Sequence, residues 1–338
     1  MSSDNMNDYF SVGLNKSFPP IYIAYSSPGL HFPLFLPAFL HGFVSAIGMI
    51  LNLSVCYITW KYWGKYTALK SKTSVLIAIN SFLEVVHQTG HFVFLYVAAT
   101  GINFIKASLA FKLEAVSLIM ANCICFMLFT LSIDRVLAVA FPLFYLKLNF
   151  RLYIYLHILT IFLFFIFDMS ALIISVTEYP DWPVTGYIGD LVISVPSPFN
   201  TAYVLLVPLM GSALAHIIVG LLAKYKGDLA DEKIRKLFRS LSLIIIANIG
   251  GYVIFMIGIN VFLRVLSPSS PYFWHANVYL SMFLNISGAI NAPILYINST
   301  DYKAAFRKQF AAIKSSFLKL KYYLFNPTQQ STTMVQKY

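Results

Sequence analysis

Charge is what this chain has least of. Only 11% of its 338 residues are Asp, Glu, Lys or Arg, whereas about a quarter are charged in soluble globular domains. With 59% hydrophobic and 17% aromatic residues beside that shortage, a water-facing surface cannot be built, and a soluble enzyme or binding module is excluded. Cysteine is nearly absent. Cys56, Cys123 and Cys125 all fall in apolar stretches, so neither a metal cluster nor a disulfide framework in the loops is available. Acidic residues number 13 against 24 basic ones, a formal charge of +11, and the placement of those charges decides what they mean. The opening MSSDNMNDYFSVGLNKSFPP also lacks a short apolar core followed by a small-residue cleavage site. It is expected to be an outer tail, with the first apolar segment acting as an uncleaved signal anchor.

What the chain does have is apolar sequence in blocks of about 20 residues or more, the length a helix needs to cross a bilayer. Seven blocks stand out, at about 33–60, 73–100, 107–141, 152–177, 199–224, 237–265 and 273–297. The expected fold is all-α: a seven-transmembrane helix bundle over 33–297, preceded by an extracellular tail at 1–32 and followed by a cytoplasmic segment at 298–338. Lysines and arginines in the loops set the orientation. Twenty of the 24, Lys61, Arg151 and Arg307 among them, fall on one side, and Lys16, Lys106, Lys112 and Arg264 on the other. The positive charge is therefore topogenic, with the C-terminus in the cytoplasm and the N-terminus outside, and nucleic acid drops out as a partner. Asn15 opens a glycosylation triplet, Asn15-Lys16-Ser17, usable on an outer tail. After the seventh block, Tyr302, Phe306, Phe310 and Ile313 recur at helical spacing among Lys303, Arg307, Lys308 and Lys314. That pattern suits an amphipathic helix on the anionic inner leaflet of the lipid bilayer. The final residues are expected to be disordered, with Ser331, Thr332 and Thr333 as candidate phosphate acceptors.

Charges inside apolar blocks need a reason. An Asp or Arg costs roughly 2.5 to 3.5 kcal/mol at a bilayer centre and less near a helix end, so Asp134 and Arg135, in LSIDRVLAVAFP, belong at the cytoplasmic boundary of the third span. Glu84 and Asp168 lie inside spans and must face the bundle or be neutral; for Asp168 the sequence offers no partner. His87 and His91, at i and i+4, make half of a metal site. No third ligand is evident, so polar packing is the preferred reading, and no metal or cofactor is expected.

Asp134-Arg135 with Ala138 and Pro142-Leu143-Phe144-Tyr145 resembles the Asp-Arg-Tyr region of rhodopsin-like G-protein-coupled receptors, with Val136 replacing the tyrosine. Asn291, Pro293 and Tyr296 resemble that family's Asn-Pro-x-x-Tyr, Ala292 occupying the position of its asparagine, and Asn52-Leu53-Ser54-Val55 is similar to its Asn-x-x-Val. Glu84 stands where the family usually has Asp. Taken together, GHFVFLY, NCICFMLFTLSIDRVLAVAFP and NAPILYINSTDYKAAFRKQF look like the nematode serpentine chemoreceptors, most closely the srsx class.

The resemblance implies that Asp134 holds Arg135 in the off state, and that breaking the pair frees the guanidinium for the C-terminal helix of a heterotrimeric G protein. It implies a hinge at Pro293, an active-state support in Tyr296, a coupling surface that includes Pro142 and Tyr145, and a polar core of Asn52, Glu84 and Asn291. It places a ligand pocket between the outer halves of helices 3, 5, 6 and 7. Counting back from Arg135 by helical turns puts Glu114, Ser117, Ala121 and Asn122 on or near the inward side. The implied function is chemosensory: a small odorant or pheromone-like molecule binds from outside and activates a heterotrimeric G protein at the plasma membrane, with the sensory cilium as a candidate compartment. Two alternatives stay open. One is an endogenous peptide ligand, suggested by the acidic loop with Glu178, Asp181 and Asp190; the other is a transporter or channel, against which stand the odd helix count and the lack of an internal repeat. An enzyme is not expected, since no nucleophile, base and acid converge.

The departures from the family carry expectations of their own. Ala110 and a cysteine-free loop at 178–198 remove the usual disulfide, so the lid must be held by Trp182 packing and by Asp181 or Asp190 pairing with Lys106 or Lys112. Asn248-Ile249-Gly250-Gly251-Tyr252 replaces the helix 6 Cys-Trp-x-Pro, and its glycines either loosen the helix or allow close packing. Helix 5 keeps Pro208 and has His216 where a tyrosine is usual. Ile124 and Ala292 stand where sodium ligands are expected, so Glu84 is expected to be neutral, without sodium, and hydrogen-bonded near Asn52 and Asn291. Ser117 replaces the counter-ion of amine receptors; Glu114 is either its substitute or a rim charge paired with Lys112 or Arg264.

Overall fold

A computed structural model describes residues 18–196, 202–226, 232–267 and 270–325. Asn15, Ser331, Thr332, Thr333 and the expected disordered tail lie outside the described residues. The chain enters through a short helix, α1 (Pro20–Tyr25), and then climbs through α2 (Phe32–Lys61). The second predicted span is two helices, α3 (Lys72–Thr89) and α4 (His91–Ala99). After β1 (Ile105–Lys106) come α5 (Ala107–Ala140), the short α6 (Pro142–Lys147), α7 (Phe150–Glu178), β2 (Pro183–Val184) and α8 (Asp190–Ile193). The order closes with α9 (Ala202–Lys226), α10 (Glu232–Val265), α11 (Pro271–Ala289), α12 (Asn291–Asn298) and α13 (Thr300–Phe325).

Among the described residues, α2, α5, α7, the 242–265 part of α10 and the α11–α12 run are long and apolar enough to cross a membrane. A shorter apolar helix, Leu206–Leu222, lies within α9. With the broken α3–α4 these make a seven-helix bundle. Its outer surface shows how it is solvated: on α7, Phe162, Leu163, Ile166 and Phe167 are exposed while Asp168 is buried. Apolar side chains face out and polar ones face in, which is stable only against hydrocarbon. The central helix is α5, which packs against α3, α7 and α9.

Local chemistry places the ends and breaks. Ser71, Asn149 and Ser270 cap α3, α7 and α11 by accepting from the backbone N–H groups of Ser74, Leu152 and Tyr272. The break between α11 and α12 falls at Ile290, three residues before Pro293, because proline has no N–H for the carbonyl of Ala289. The break between α3 and α4 falls at Gly90. There the Ser117 hydroxyl of α5 accepts from Gly90 N at 3.1 Å and donates to the His87 carbonyl. A Cβ on Gly90 would stand 2.6 Å from that hydroxyl, so only glycine admits the wedge.

The chain's lysines and arginines concentrate where α2 ends and α3 begins, here called the basic end; the loop 179–196 covers the opposite, lid end. On the basic end α13 docks through Tyr302, Ala305 and Phe306, all buried. The Tyr302 hydroxyl lies 3.1 Å from Thr59 Oγ1, and Asp301 accepts from Ala68 N at 3.0 Å. The apolar face read from the sequence therefore splits. Tyr302 and Phe306 pack inward, while Phe310, Ile313, Phe317 and Leu318 are exposed.

Candidate functional site

At the basic end α5 buries its charge pair. Asp134 is fully buried and Arg135 only 5% exposed. Arg135 Nε donates to Asp134 Oδ2 at 2.9 Å, and the same guanidinium donates to Thr73 of α3, which itself donates to Asp134 Oδ2 at 3.3 Å. The other carboxylate oxygen accepts from Tyr145 at 2.8 Å and from Tyr153 at 2.7 Å. Pro142 opens α6, the turn that carries Tyr145 back to the pair. Lys72 Nζ donates to the Tyr145 carbonyl at 2.5 Å. A buried ion pair is maintained only when its remaining lone pairs and protons are satisfied, and two tyrosines and a threonine do that here.

Mid-bundle, a chain of amides runs between spans. Asn52 Nδ2 donates to the carbonyls of Gly48 and Gly288, Asn291 Nδ2 to Asn52 Oδ1 at 3.2 Å, and Asn248 Nδ2 to Asn291 Oδ1 at 3.3 Å. Glu84 is not a member of this chain, contrary to the expectation from the sequence. Its carboxyl packs on Gly288, where a Cβ would fall 2.4 Å from Oε2. Pro293 sits one turn after the break, and Tyr296 packs edge-on against Phe306 of α13, centroids 6.0 Å apart. Gly251 resolves the question posed by the paired glycines: a Cβ there would meet Ser287 Oγ at 2.6 Å, so it serves close packing of α10 on α11.

Between that amide chain and the lid lies a cavity of about 690 Å³. One wall, from α5, α9 and the lid, is apolar and includes Leu118, Val192, Leu206 and Leu209; the other, from the second and seventh spans, carries His87, His91, Asn277, Ser281 and Asn285. Glu84 and Asn248 line it as well. Asn122, expected in a pocket, does line the cavity and donates to Asp168 Oδ2 at 2.6 Å, which supplies the acid of α7 with its partner. Ser117 and Glu114 do not line it. Ser117 is the wedge at Gly90, and Glu114 is buried with neither carboxylate oxygen hydrogen-bonded, so the rim charge paired with Lys112 or Arg264 is not formed.

The lid is tied without a disulfide. β1 and β2 pair antiparallel, Ile105 opposite Val184, and Ala107 N and Ser108 N donate to the carbonyls of Trp182 and Pro180 at 2.8 and 2.9 Å. Of the ion pairs considered, Lys106 with Asp181 forms, at 2.8 Å. Asp190 points inward instead, accepting from Thr185 N and Oγ1, from Ser194 Oγ and from Trp274 Nε1 of α11 at 2.7 to 3.0 Å. Burial raises the Asp190 carboxyl above the ordinary carboxylate range, and these donors pull it back.

The sequence that builds this buried Asp-Arg pair and lidded cavity in a seven-helix bundle also matches a known family. Residues 45–310 match the model of the serpentine-type seven-transmembrane G-protein-coupled chemoreceptor Srsx. The chain belongs to the Srsx chemoreceptor family. No curated protein matches it. Srsx membership makes the chain a multi-pass membrane receptor and not an enzyme.

Within the Srsx bundle one group was missed from sequence. His41 of α2 is buried, stacks on His91 with centroids 4.9 Å apart, and joins His91 through Asn285. A lone histidine in the first span gave no signal, since its partners come from α11, more than 230 residues later. Among the described residues no group of three or more His, Cys, Asp or Glu is arranged to hold a metal ion.

Proposed function

We propose that this Srsx receptor binds a small odorant or pheromone-like molecule in the cavity beneath the lid and activates a heterotrimeric G protein at its basic end. The basic end then faces the cytoplasm. Residues 1–32, with a glycan on Asn15, lie outside, residues 298–338 lie inside, and the sensory cilium is the proposed compartment. The observation that carries the reading is that Asn248 both lines the cavity and donates to Asn291, two residues before Pro293. A ligand that moves α10 also pulls on the α12 hinge. Displacement of α10 and α12 opens the basic end, where Arg135, Tyr145 and Tyr296 meet the G protein. Glu84, neutral beside Gly288, fills the bundle without a sodium ion. A peptide ligand keeps only Glu178 of the three acidic residues as exposed support, because Asp181 is taken by Lys106 and Asp190 is buried.

The test is ligand-dependent calcium or cAMP signalling in cells expressing the chain. Arg135→Ala is expected to abolish the signal with surface staining retained, and a variant that signals normally would sink the coupling mechanism. Glu84→Gln is expected to leave expression and signalling largely intact.

A further inference from the structure

The cavity wall formed by the second and seventh spans fixes its own protons. The carbonyl of Val278 only accepts, so His41 Nε2, 2.8 Å away, must donate to it. In the neutral ring His41 Nδ1 is then an acceptor, and it faces Asn285 Nδ2 at 2.9 Å. That turns the Asn285 carbonyl oxygen to His91, whose Nε2 donates to it at 3.0 Å. The order ends at His91 Nδ1, a bare lone pair that is buried and has no partner. Eight residues before Asn285, about two turns along α11, Asn277 Oδ1 is likewise buried without a partner. Ser281 spends its proton on the Val278 carbonyl at 2.7 Å. This wall thus leaves two buried acceptors unmet, with the Asn277 amide free to turn either its oxygen or its nitrogen toward the cavity.

Charge sharpens the point. Among the described lining residues Glu84 is the single Asp, Glu, Lys or Arg, so no cation is present to hold a carboxylate or phosphate. Glu84 itself lies at the deep end against Gly288. Across the cavity, Leu118, Ile188, Val192, Leu206, Leu209 and Ile259 offer hydrocarbon.

Building on the ligand-pocket reading above, we propose that the cavity takes an uncharged amphiphile whose polar end carries an O–H or N–H donor for Asn277 and His91, and whose body is hydrocarbon against the α5–α9 wall. Both acceptors are covered by neighbouring side chains, and the ligand reaches them by a turn of the Asn277 amide, which no hydrogen bond holds among the described residues. Anions and donor-free hydrocarbons are disfavoured by the same wall, and a cation is disfavoured while Glu84 stays neutral.

The test uses one carbon frame with four ends: 4-hexylphenol, its methyl ether, 4-hexylbenzoate and 4-hexylbenzylammonium. Binding is read from thermal unfolding of the full chain in nanodiscs over a concentration series. The phenol is expected to bind about tenfold more tightly than the ether, the worth of one buried hydrogen bond, and more tightly than either ion. Asn277→Leu and His91→Phe are expected to erase that preference, which separates it from partition into lipid. His91→Gln, which keeps a donor for Asn285 and an acceptor for the ligand, is expected to retain it and covers the case in which His91→Phe does not fold. Equal binding of phenol and ether, tightest binding of an ion, a preference that survives Asn277→Leu, or no binding of any probe to folded receptor would each overturn the ligand class. The receptor reading is judged separately by G-protein activation. Activation by the ether or an ion sinks the class and leaves the receptor, whereas selective phenol binding without activation of any G protein sinks the receptor and leaves the class.

Discussion

Around Asp134 both carboxylate oxygens accept donors, from Tyr145 and Tyr153 on one side and Arg135 and Thr73 on the other. Around the cavity and lid, Asn277 Oδ1, His91 Nδ1, the Gln88 amide and both Glu114 oxygens are buried without partners. The contrast separates two jobs. A saturated buried network holds one arrangement until a competing charge arrives, as a coupling switch must. Unpaired buried groups cost stability in the resting molecule, about 1 to 3 kcal/mol each, and that cost is recovered only by something that binds. On the proposed reading the basic end stays shut until coupling, and a ligand completes the acceptors of Asn277 and His91.

The largest break in this comparison comes from removing the acid of the saturated end. Asp134→Ala leaves Arg135 buried and uncompensated, at an expected cost of about 3 to 5 kcal/mol. Thermal unfolding in detergent reads the loss, and basal nucleotide exchange on a G protein is expected to rise as Arg135 is released. Tyr153→Phe is the milder form, about 1 to 2 kcal/mol with a small rise in basal exchange. If both variants match the parent in stability and basal exchange, the network is not a lock.

The lid end has one saturated point of its own, Asp190, and its removal is the next largest effect. Asp190→Ala strands Trp274 Nε1–H and the Thr185 backbone N–H, an expected loss of about 2 to 3 kcal/mol. The loss should be local, seen as faster amide exchange over 179–195 and a changed Trp274 emission, with the Asp134 network intact. Glu114 gives the opposite sign. Glu114→Met removes a buried acid without a hydrogen bond and keeps the volume, so a gain of about 1 to 2 kcal/mol in thermal unfolding is expected. A destabilised Met variant would mean that Glu114 meets a partner during function.

How much of this could be read beforehand follows the same divide. The seven spans and the Asp134-Arg135 boundary are legible because charge in hydrocarbon is costly wherever the chain goes. The break before Pro293 is legible because proline acts on its own helix. Gly90 is not, since its break depends on a hydroxyl 27 residues away. The placement of Ser117 failed in an instructive way. It lies 18 residues, about five turns, before Arg135, so it does share that residue's face. The face meets α3 along its length, through Thr73 at one end and His87 at the other, and the cavity lies round the helix at Asn122. Helical counting gives an angle, and only packing says what stands at that angle.

The smallest expected effect sharpens what holds the lid in place of a disulfide. Lys106 and Asp181 are 26% and 37% exposed, and such a surface pair contributes up to about 1 kcal/mol and fades with salt. The backbone ladder beside it, from Ala107 and Ser108 to Trp182 and Pro180, needs no side chain. Lys106→Ala is therefore expected to lower the unfolding temperature only slightly, and not at all at about 1 M ionic strength, where the screening length is about 3 Å. Amide exchange over 179–195 should stay near that of the parent. If Lys106→Ala loosens the lid as far as Asp190→Ala does, the ion pair is the tie, and the inward network of Asp190 serves the cavity roof instead.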